Sequence, residues 1–189
     1  KAGTYTAEFK LVSVAKPDEA LVTGTMTIDV AVSEDSAIQV EYTKDSQSKT
    51  VYYTGLDNDD RNNDHYWDVI SDLSSGYLNA DTNEPITVTL LDDITLADTT
   101  ILVDAGKKVT INGNGHTITA TMSSFAEAGK PGADAVSITN DSTLTLNNVK
   151  LNIKAADAVV LNGETSTQGI YNDGILTLTG GTQVTINGV

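Results

Sequence analysis

No cysteine occurs in the chain, so a disulfide framework, a thiolate metal site and a cysteine nucleophile are all excluded, and redox chemistry gives no indication of compartment. Arginine is almost missing as well, with Arg61 the single one. Only 11 basic residues stand against 26 acidic ones, for a net charge of −15. Nucleic-acid backbones are gripped by clustered Lys and Arg, so that partner class is excluded. An anionic membrane surface would repel the chain for the same reason. No run approaches the roughly 18 apolar residues of a membrane span, which excludes direct insertion as a helix. No signal peptide is recognisable at the start. Aromatics make up 5% of the residues, and most of them are Tyr.

What is present is aliphatic. A hydrophobic content of 39% supplies a packed core, and with few rings available that core must be built from Val, Ile and Leu on strands. The length of 189 residues suits one ordinary domain, or a small one with a modest second. The chain opens on Lys1-Ala2-Gly3-Thr4 and closes on Asn187-Gly188-Val189, and both ends read as cuts in a longer polypeptide. Acidity keeps such a chain soluble and attracts cations such as calcium.

Residues 1–56 alternate apolar and polar at period two. Tyr5, Ala7 and Phe9 share one parity, which Leu11-Val12 breaks. Met26, Ile28, Val30 and Val32 share a face, as do Ile38, Val40 and Tyr42, and Val51 with Tyr53. Turns are expected at Lys16-Pro17-Asp18, Ser33-Glu34-Asp35 and Lys44-Asp45-Ser46. The pattern predicts a small sandwich-like module of four or five antiparallel strands. Residues 57–86 form an acidic linker and a short helix. Trp67, Ile70 and Leu73, with Val69 beside them, recur at helical spacing from Tyr66 to Leu73, and Asp64 is placed to cap the first turn.

From 87 to 189 an internal repeat emerges. Val109-Thr110-Ile111-Asn112 matches Leu144-Thr145-Leu146-Asn147 at a shift of 35, then Leu176-Thr177-Leu178-Thr179 at a further 32. Ile101 and Val103 align with Val136 and Ile138, and Ile138 then with Ile170. His116 and Ile118 align with Leu151 and Ile153, which continue to Val184 and Ile186. An incomplete first coil is visible in Val88/Leu90 and Ile94/Leu96. Each coil thus carries three short apolar–polar–apolar strands between Asn-, Gly- and Asp-rich turns. Such strands must pair above and below, and stacking coils about 4.8 Å apart provides that pairing. Two longer connections, around 121–134 and 162–168, leave the stack at one corner and make that edge the natural contact surface.

The runs Leu90-Leu91-Asp92-Asp93-Ile94-Thr95-Leu96 and Lys107-Lys108-Val109-Thr110-Ile111-Asn112-Gly113-Asn114-Gly115-His116-Thr117-Ile118 resemble the opening coils of right-handed parallel β-helix, pectate-lyase-like proteins. They are similar in particular to large repetitive bacterial cell-surface and adhesin-like proteins. The resemblance covers a little over half of the chain. It implies an all-β fold with three short strands per coil and an N-terminal capping helix, here 66–73, and an extracellular, cell-surface location. Gly3-Thr4-Tyr5-Thr6 faintly resembles the start of haem-binding NEAT domains. That family's Tyr-x-x-x-Tyr pair is replaced here by the adjacent Tyr52-Tyr53, which puts haem binding in doubt.

Polysaccharide cleavage is the sharpest alternative that the resemblance raises. A lyase of this kind needs an Arg or Lys base beside carboxylate-held calcium. Arg61 lies outside the coils, and Lys150 and Lys154 have no carboxylate cluster on their strand. A hydrolase needs paired carboxylates. Asp141 and Asp173 occupy equivalent turns, but each follows an Asn (Asn140, Asn172), which makes turn chemistry the simpler account. No residue is therefore assigned a catalytic role. An enzyme whose catalytic coils lie outside this chain is the alternative to a non-catalytic module.

The binding candidates are Phe125, Glu127, Lys130, Glu164 and Gln168 on the loop edge, offered to a glycan or a surface protein. Asp57, Asp59, Asp60 and Asp64 form an oxygen-rich stretch of the kind calcium prefers, although a solvated linker is the default reading. His116 reads as a packed corner imidazole, with Gly113 and Gly115 beside it in a positive-φ turn. Asn112 and Asn147 align just after their strands and are expected to form a ladder, with Ile111, Leu146 and Leu178 stacked inside. A last coil with a bare strand edge would let copies self-associate.

Overall fold

Period-two alternation becomes parallel sheet here because each short strand finds its partner one repeat later in the chain. The structure is a computed structural model that describes residues 3–13, 15–30, 36–55, 65–71, 73, 78, 80–81, 83–122, 134–155 and 169–187. Two compact units are present, Lys1–Glu34 and Asp35–Val189.

The first unit is a long antiparallel hairpin of β1 (Gly3–Ser13) and β2 (Lys16–Val30), in register from Gly3 opposite Val30 to Leu11 opposite Val22. The parity break at Leu11-Val12 falls where the register shifts between Leu11, Val12 and Ser13. The turn expected at Lys16-Pro17-Asp18 lies inside β2 instead. Pro17 is tolerated there because it falls between Lys16 and Ala20, the residues paired with Ser13 and Val12, in a stretch that has no ladder partner to supply.

In the second unit, β3 (Ser36–Lys44) and β4 (Gln47–Thr54) form a hairpin turning at Asp45 and Ser46. Both turn residues have positive φ, 53° and 59°, as a two-residue hairpin demands. By hydrogen bonding this hairpin belongs to a different sheet from β1 and β2. β3 lies antiparallel on β5 (Pro85–Leu90), Ile38 opposite Leu90 and Val40 opposite Val88. The unit boundary therefore falls at 34/35 rather than 56/57, because Ile38 and Val40 bury completely in the larger core.

After β5 the chain circulates through three parallel sheets. The strands β6 (Ile94–Ala97), β7 (Ile101–Val103), β8 (Lys108–Asn112), β9 (Thr117–Met122), β10 (Val136–Ile138), β11 (Thr143–Asn147), β12 (Lys150–Ala155), β13 (Ile170–Asn172), β14 (Ile175–Thr179) and β15 (Gln183–Asn187) fall to these sheets in strict rotation. The sheets run β7–β10–β13, then β5–β8–β11–β14 extended by β3 and β4, then β6–β9–β12–β15. Inward residues alternate with outward ones: Val109 and Ile111 on β8, Leu144 and Leu146 on β11, Ile118 and Ala120 on β9 are all buried.

The expected alignments hold on β8, β11 and β14, with Leu144 opposite both Val109 and Leu176. They also hold for Ile101 and Val103 against Val136 and Ile138, and for Leu151 against Val184. Two are displaced by two residues. Ile118 pairs with Leu151, not Ile153, and Ile170 pairs with Val136, not Ile138. Leu178 is stacked on Leu146 as expected but is 49% exposed, because no described strand covers β14.

The helix α1 (Tyr66–Ile70) is shorter than expected and buries Tyr66, Val69 and Ile70. Its N-cap is His65, which makes no side-chain capping bond, and Asp64 lies outside the described residues. The Tyr66 hydroxyl donates to the Thr95 carbonyl at 2.7 Å and accepts from the Thr95 amide at 3.2 Å, closing the free edge of β6. The Leu73 amide donates to the Leu102 carbonyl at 3.3 Å on the edge of β7. Asp81 anchors the hairpin tip, its carboxylate accepting from the Asp45 and Ser46 amides at 2.9 and 2.8 Å. The buried Lys107 ammonium donates to the carbonyls of Ala80 and Asp81.

Candidate functional site

The corner where the two long connections leave the sheets is defined by the strands that flank it. β9 ends at Met122 and β10 begins at Val136, while β12 ends at Ala155 and β13 begins at Ile170. The long segments 123–133 and 156–168 therefore both lead from the third-named sheet back to the first, one circuit apart. The equivalent step one circuit earlier, from β6 to β7, takes only Asp98, Thr99 and Thr100. Phe125, Glu127, Lys130, Glu164 and Gln168 lie outside the described residues, as do Asp57, Asp59, Asp60 and Asp64. At the rim, burial pushes the Asp134 carboxyl above the usual aspartate value.

The second arrangement is the outer face of the sheet β5–β8–β11–β14. Asn147 Nδ2 donates to Asn112 Oδ1 at 3.0 Å, and Thr179 Oγ1 donates to Asn147 Oδ1 at 3.3 Å. This ladder links three circuits through the last residue of each strand. Asn side chains suit it because each amide carries both a donor and an acceptor, so the bond can be handed from layer to layer.

The third is a polar seam at the turn between the second and third sheets. Two residues of extra length in the turn after β8 carry His116 out of the corner expected for it. Its side chain is 34% exposed, with Nδ1 3.3 Å from Asp93 Oδ1. The same Asp93 oxygen accepts from the Thr117 amide at 2.8 Å. That amide holds the Asp93 carboxyl below the ordinary aspartate range, with smaller contributions from His116 and Lys150 working against slight desolvation. Asp93 has no signal in the sequence; it becomes visible only once Ile94 is known to pair with Ile118. Asn114 turns at φ 52° and Gly115 at 87°, whereas Gly113 has no positive φ. Gly113 is required by close approach instead, since a Cβ there would fall 2.6 Å from Val149 Cα.

Turn chemistry accounts for Asn172 near the carboxylates considered for hydrolysis. Asn172 Oδ1 accepts from the Gly174 amide at 3.2 Å, and the Asp173 amide donates to the Ile138 carbonyl at 2.8 Å. Asp141 and Asp173 are both exposed, and Asp141 adopts positive φ at the preceding circuit's turn. Lys150 and Lys154 face outward on β12 and are exposed. Among the described residues no three His, Asp or Glu side chains converge as metal ligands. No described helix is long and apolar enough to cross a membrane. In comparisons with family models, curated proteins and solved structures, nothing matches the chain.

Proposed function

We propose that the three rotating sheets wind as a right-handed parallel β-helix, and that the chain is a non-catalytic extracellular module of a bacterial surface protein. It acts as a stalk or adhesin whose corner segments 123–133 and 156–168 contact a glycan or a protein. One observation carries this reading: the two longest connections of the stack leave on successive circuits at the same corner. A layer spacing of about 4.8 Å then puts their anchor points side by side. A rigid stack of this kind holds such segments at fixed separation, and binding residues are disproportionately found on segments positioned in that way. The resemblance of the coil motifs to adhesin-like proteins agrees with it.

The test replaces both segments with the short Asp98-Thr99-Thr100 connection of the earlier circuit. The intact chain is expected to bind members of a glycan and surface-protein panel, and the shortened chain to lose that binding while its melting temperature is retained. Retention of binding by the shortened chain would sink the reading. So would the appearance of unsaturated uronate products when the intact chain is incubated with uronate polysaccharides.

A further inference from the structure

Among the described residues the first unit is a sheet of two strands, β1 and β2, with no third strand on either edge. Its register sorts the facing residues into two kinds. Gly3 with Val30, Tyr5 with Ile28, Ala7 with Met26, Phe9 with Gly24 and Leu11 with Val22 are apolar or glycine throughout. The rows between them, Thr4 with Asp29, Thr6 with Thr27, Glu8 with Thr25 and Lys10 with Thr23, are polar throughout. Successive rows of an antiparallel ladder belong to opposite sides of the ribbon, so the positions of one side are apolar from Gly3 to Leu11 and those of the other are polar.

The apolar side lies open. Leu11, Val22 and Met26 are 58, 53 and 51% exposed, from the last apolar row to the central one. Two strands with one apolar face do not reach independent stability in water, and they gain it from a second layer packed on that face.

The order of the rows fits a second copy of the same ribbon as that layer. Packing about a two-fold axis sets the rows of one copy against those of the other in reverse order. The row of Ala7 and Met26 then meets its own copy. The row of Tyr5 and Ile28 meets that of Phe9 and Gly24, and the row of Gly3 and Val30 meets that of Leu11 and Val22. Each of the outer contacts sets a row containing a glycine against a row of two larger residues, the alternation that lets facing layers interdigitate. None of the five rows carries a charge at neutral pH, so no ionised group is buried when the faces close.

Size sets the strength of the contact. Five rows spaced about 6.8 Å apart make a face about 27 Å long, and closing two such faces removes on the order of 1,000 Å² from water. That is the lower end for a specific association, so monomer and dimer are expected to exchange at micromolar concentrations.

We propose that the apolar side of the β1–β2 ribbon is a dimerisation surface, covered by the same side of a second copy of the chain with Met26 at the two-fold axis. This surface is separate from the corner segments 123–133 and 156–168 and from whatever they bind.

Sedimentation equilibrium of the full 189-residue chain should show a monomer–dimer equilibrium that salt strengthens, because screening relieves the repulsion between two chains of charge −15. Met26→Glu is expected to weaken the dimer by on the order of 100-fold, since it buries a carboxylate against its own copy. Thr25→Glu, exposed one residue away on the polar side, is expected to leave the equilibrium unchanged. The chain has no cysteine, so Met26→Cys carries a single thiol. A short bis-maleimide should join two Met26→Cys chains and fail to join Thr25→Cys chains, with circular dichroism confirming that each variant is folded. An intact chain that stays monomeric up to millimolar concentration overturns the proposal, a result that needs no variant to fold. Dimers that survive Met26→Glu, or that cross-link equally well through Thr25→Cys, overturn it too, since the copies would then meet elsewhere, as at the open edges of β13, β14 and β15. So does flotation of a monomeric chain with phosphatidylcholine vesicles, because the face would then take a lipid surface.

Discussion

At one end of the stack every strand of the first circuit has its outer edge engaged. β3 lies on β5, the Tyr66 hydroxyl bridges both backbone groups of Thr95 on β6, and the Leu73 amide reaches Leu102 on β7. Beneath them Val69, Ile70, Leu73 and Leu78 floor the core with almost no exposure. At the other end β13, β14 and β15 have no covering strand among the described residues, and the inward-facing Leu178 and Ile186 are 49 and 44% exposed. The sequences of the two layers are alike in pattern, so the difference arises from what covers them. Burial in such a stack is thus a property of position along it rather than of residue type.

The sharpest way to break that comparison is to make the same deletion in one column at two heights. Ile111 and Leu178 both stack on Leu146, at 0 and 49% exposure. Ile111→Ala removes fully packed methylenes and leaves a cavity, for an expected loss of about 2–5 kcal/mol. Leu178→Ala leaves no enclosed void and should cost less than about 1 kcal/mol. Urea unfolding of the full chain measures both. Equal losses would mean that the outer layer is covered in solution.

Glycine substitution contrasts the same two regions through the backbone. A Cβ at Gly113 would fall 2.3 Å from the Asn148 carbonyl oxygen and 2.6 Å from Val149 Cα, and neither can move without shifting the next circuit. Gly113→Ala is therefore expected to destabilise by about 2 kcal/mol, in the range of overpacked interiors. Gly181, in the corresponding turn of the outer layer, has φ +80° and nothing within 4 Å. Gly181→Ala there should cost about 1 kcal/mol, from left-handed backbone strain alone. Thermal melts that reverse this order would show that the turns do not stack as closely as the geometry requires.

Both errors of register in the coils have one cause. A strand that alternates at period two looks the same when slid by two residues, so only turn length can decide. Four residues separate β8 from β9 but two separate β11 from β12, and the shift falls from 35 to 33 at that point. No local pattern marks the two extra residues as turn rather than strand, which is why His116 was expected against Leu151. The hairpin β3–β4 was hidden in another way. Its alternation is indistinguishable from that of β1 and β2, and its partner β5 lies across the helix in sequence. Where turn lengths match, as before β11 and β8, alignment alone recovers the pairing and with it the Asn112–Asn147 bond. The Asp93 contact belongs to tertiary register and has no local signature.

A smaller effect probes the closed end. Tyr66→Phe keeps the buried ring but removes the hydroxyl that serves Thr95 N–H and C=O. Water reaches this exposed residue and partly replaces the lost bonds, so the expected loss is about 1 kcal/mol. Faster hydrogen exchange should be confined to the Thr95 amide and its neighbours on β6. Unchanged exchange at Thr95 would mean that the tyrosine does not close this edge.

Asp93 gives the smallest effect, and its sign can be worked out. Its folded-state pKa lies below the unfolded value because the ionised carboxylate accepts from the Thr117 amide and sits beside His116. A depressed carboxyl contributes stability that is fully present above the unfolded pKa of about 3.9 and is lost as pH falls through the folded value. The side chain is 67% exposed, so solvent screens most of the interaction and the contribution is small. Melting temperature recorded downward from about pH 5 should therefore fall less steeply for Asp93→Asn than for the intact chain. Above that window the variant should be slightly the less stable, since an amide oxygen replaces the charged acceptor of Thr117. Parallel acid limbs for the two proteins would show that the seam between β6 and β9 does not depend on this charge, leaving strand pairing and the bond from Asn114 Nδ2 to the Leu90 carbonyl to join those circuits.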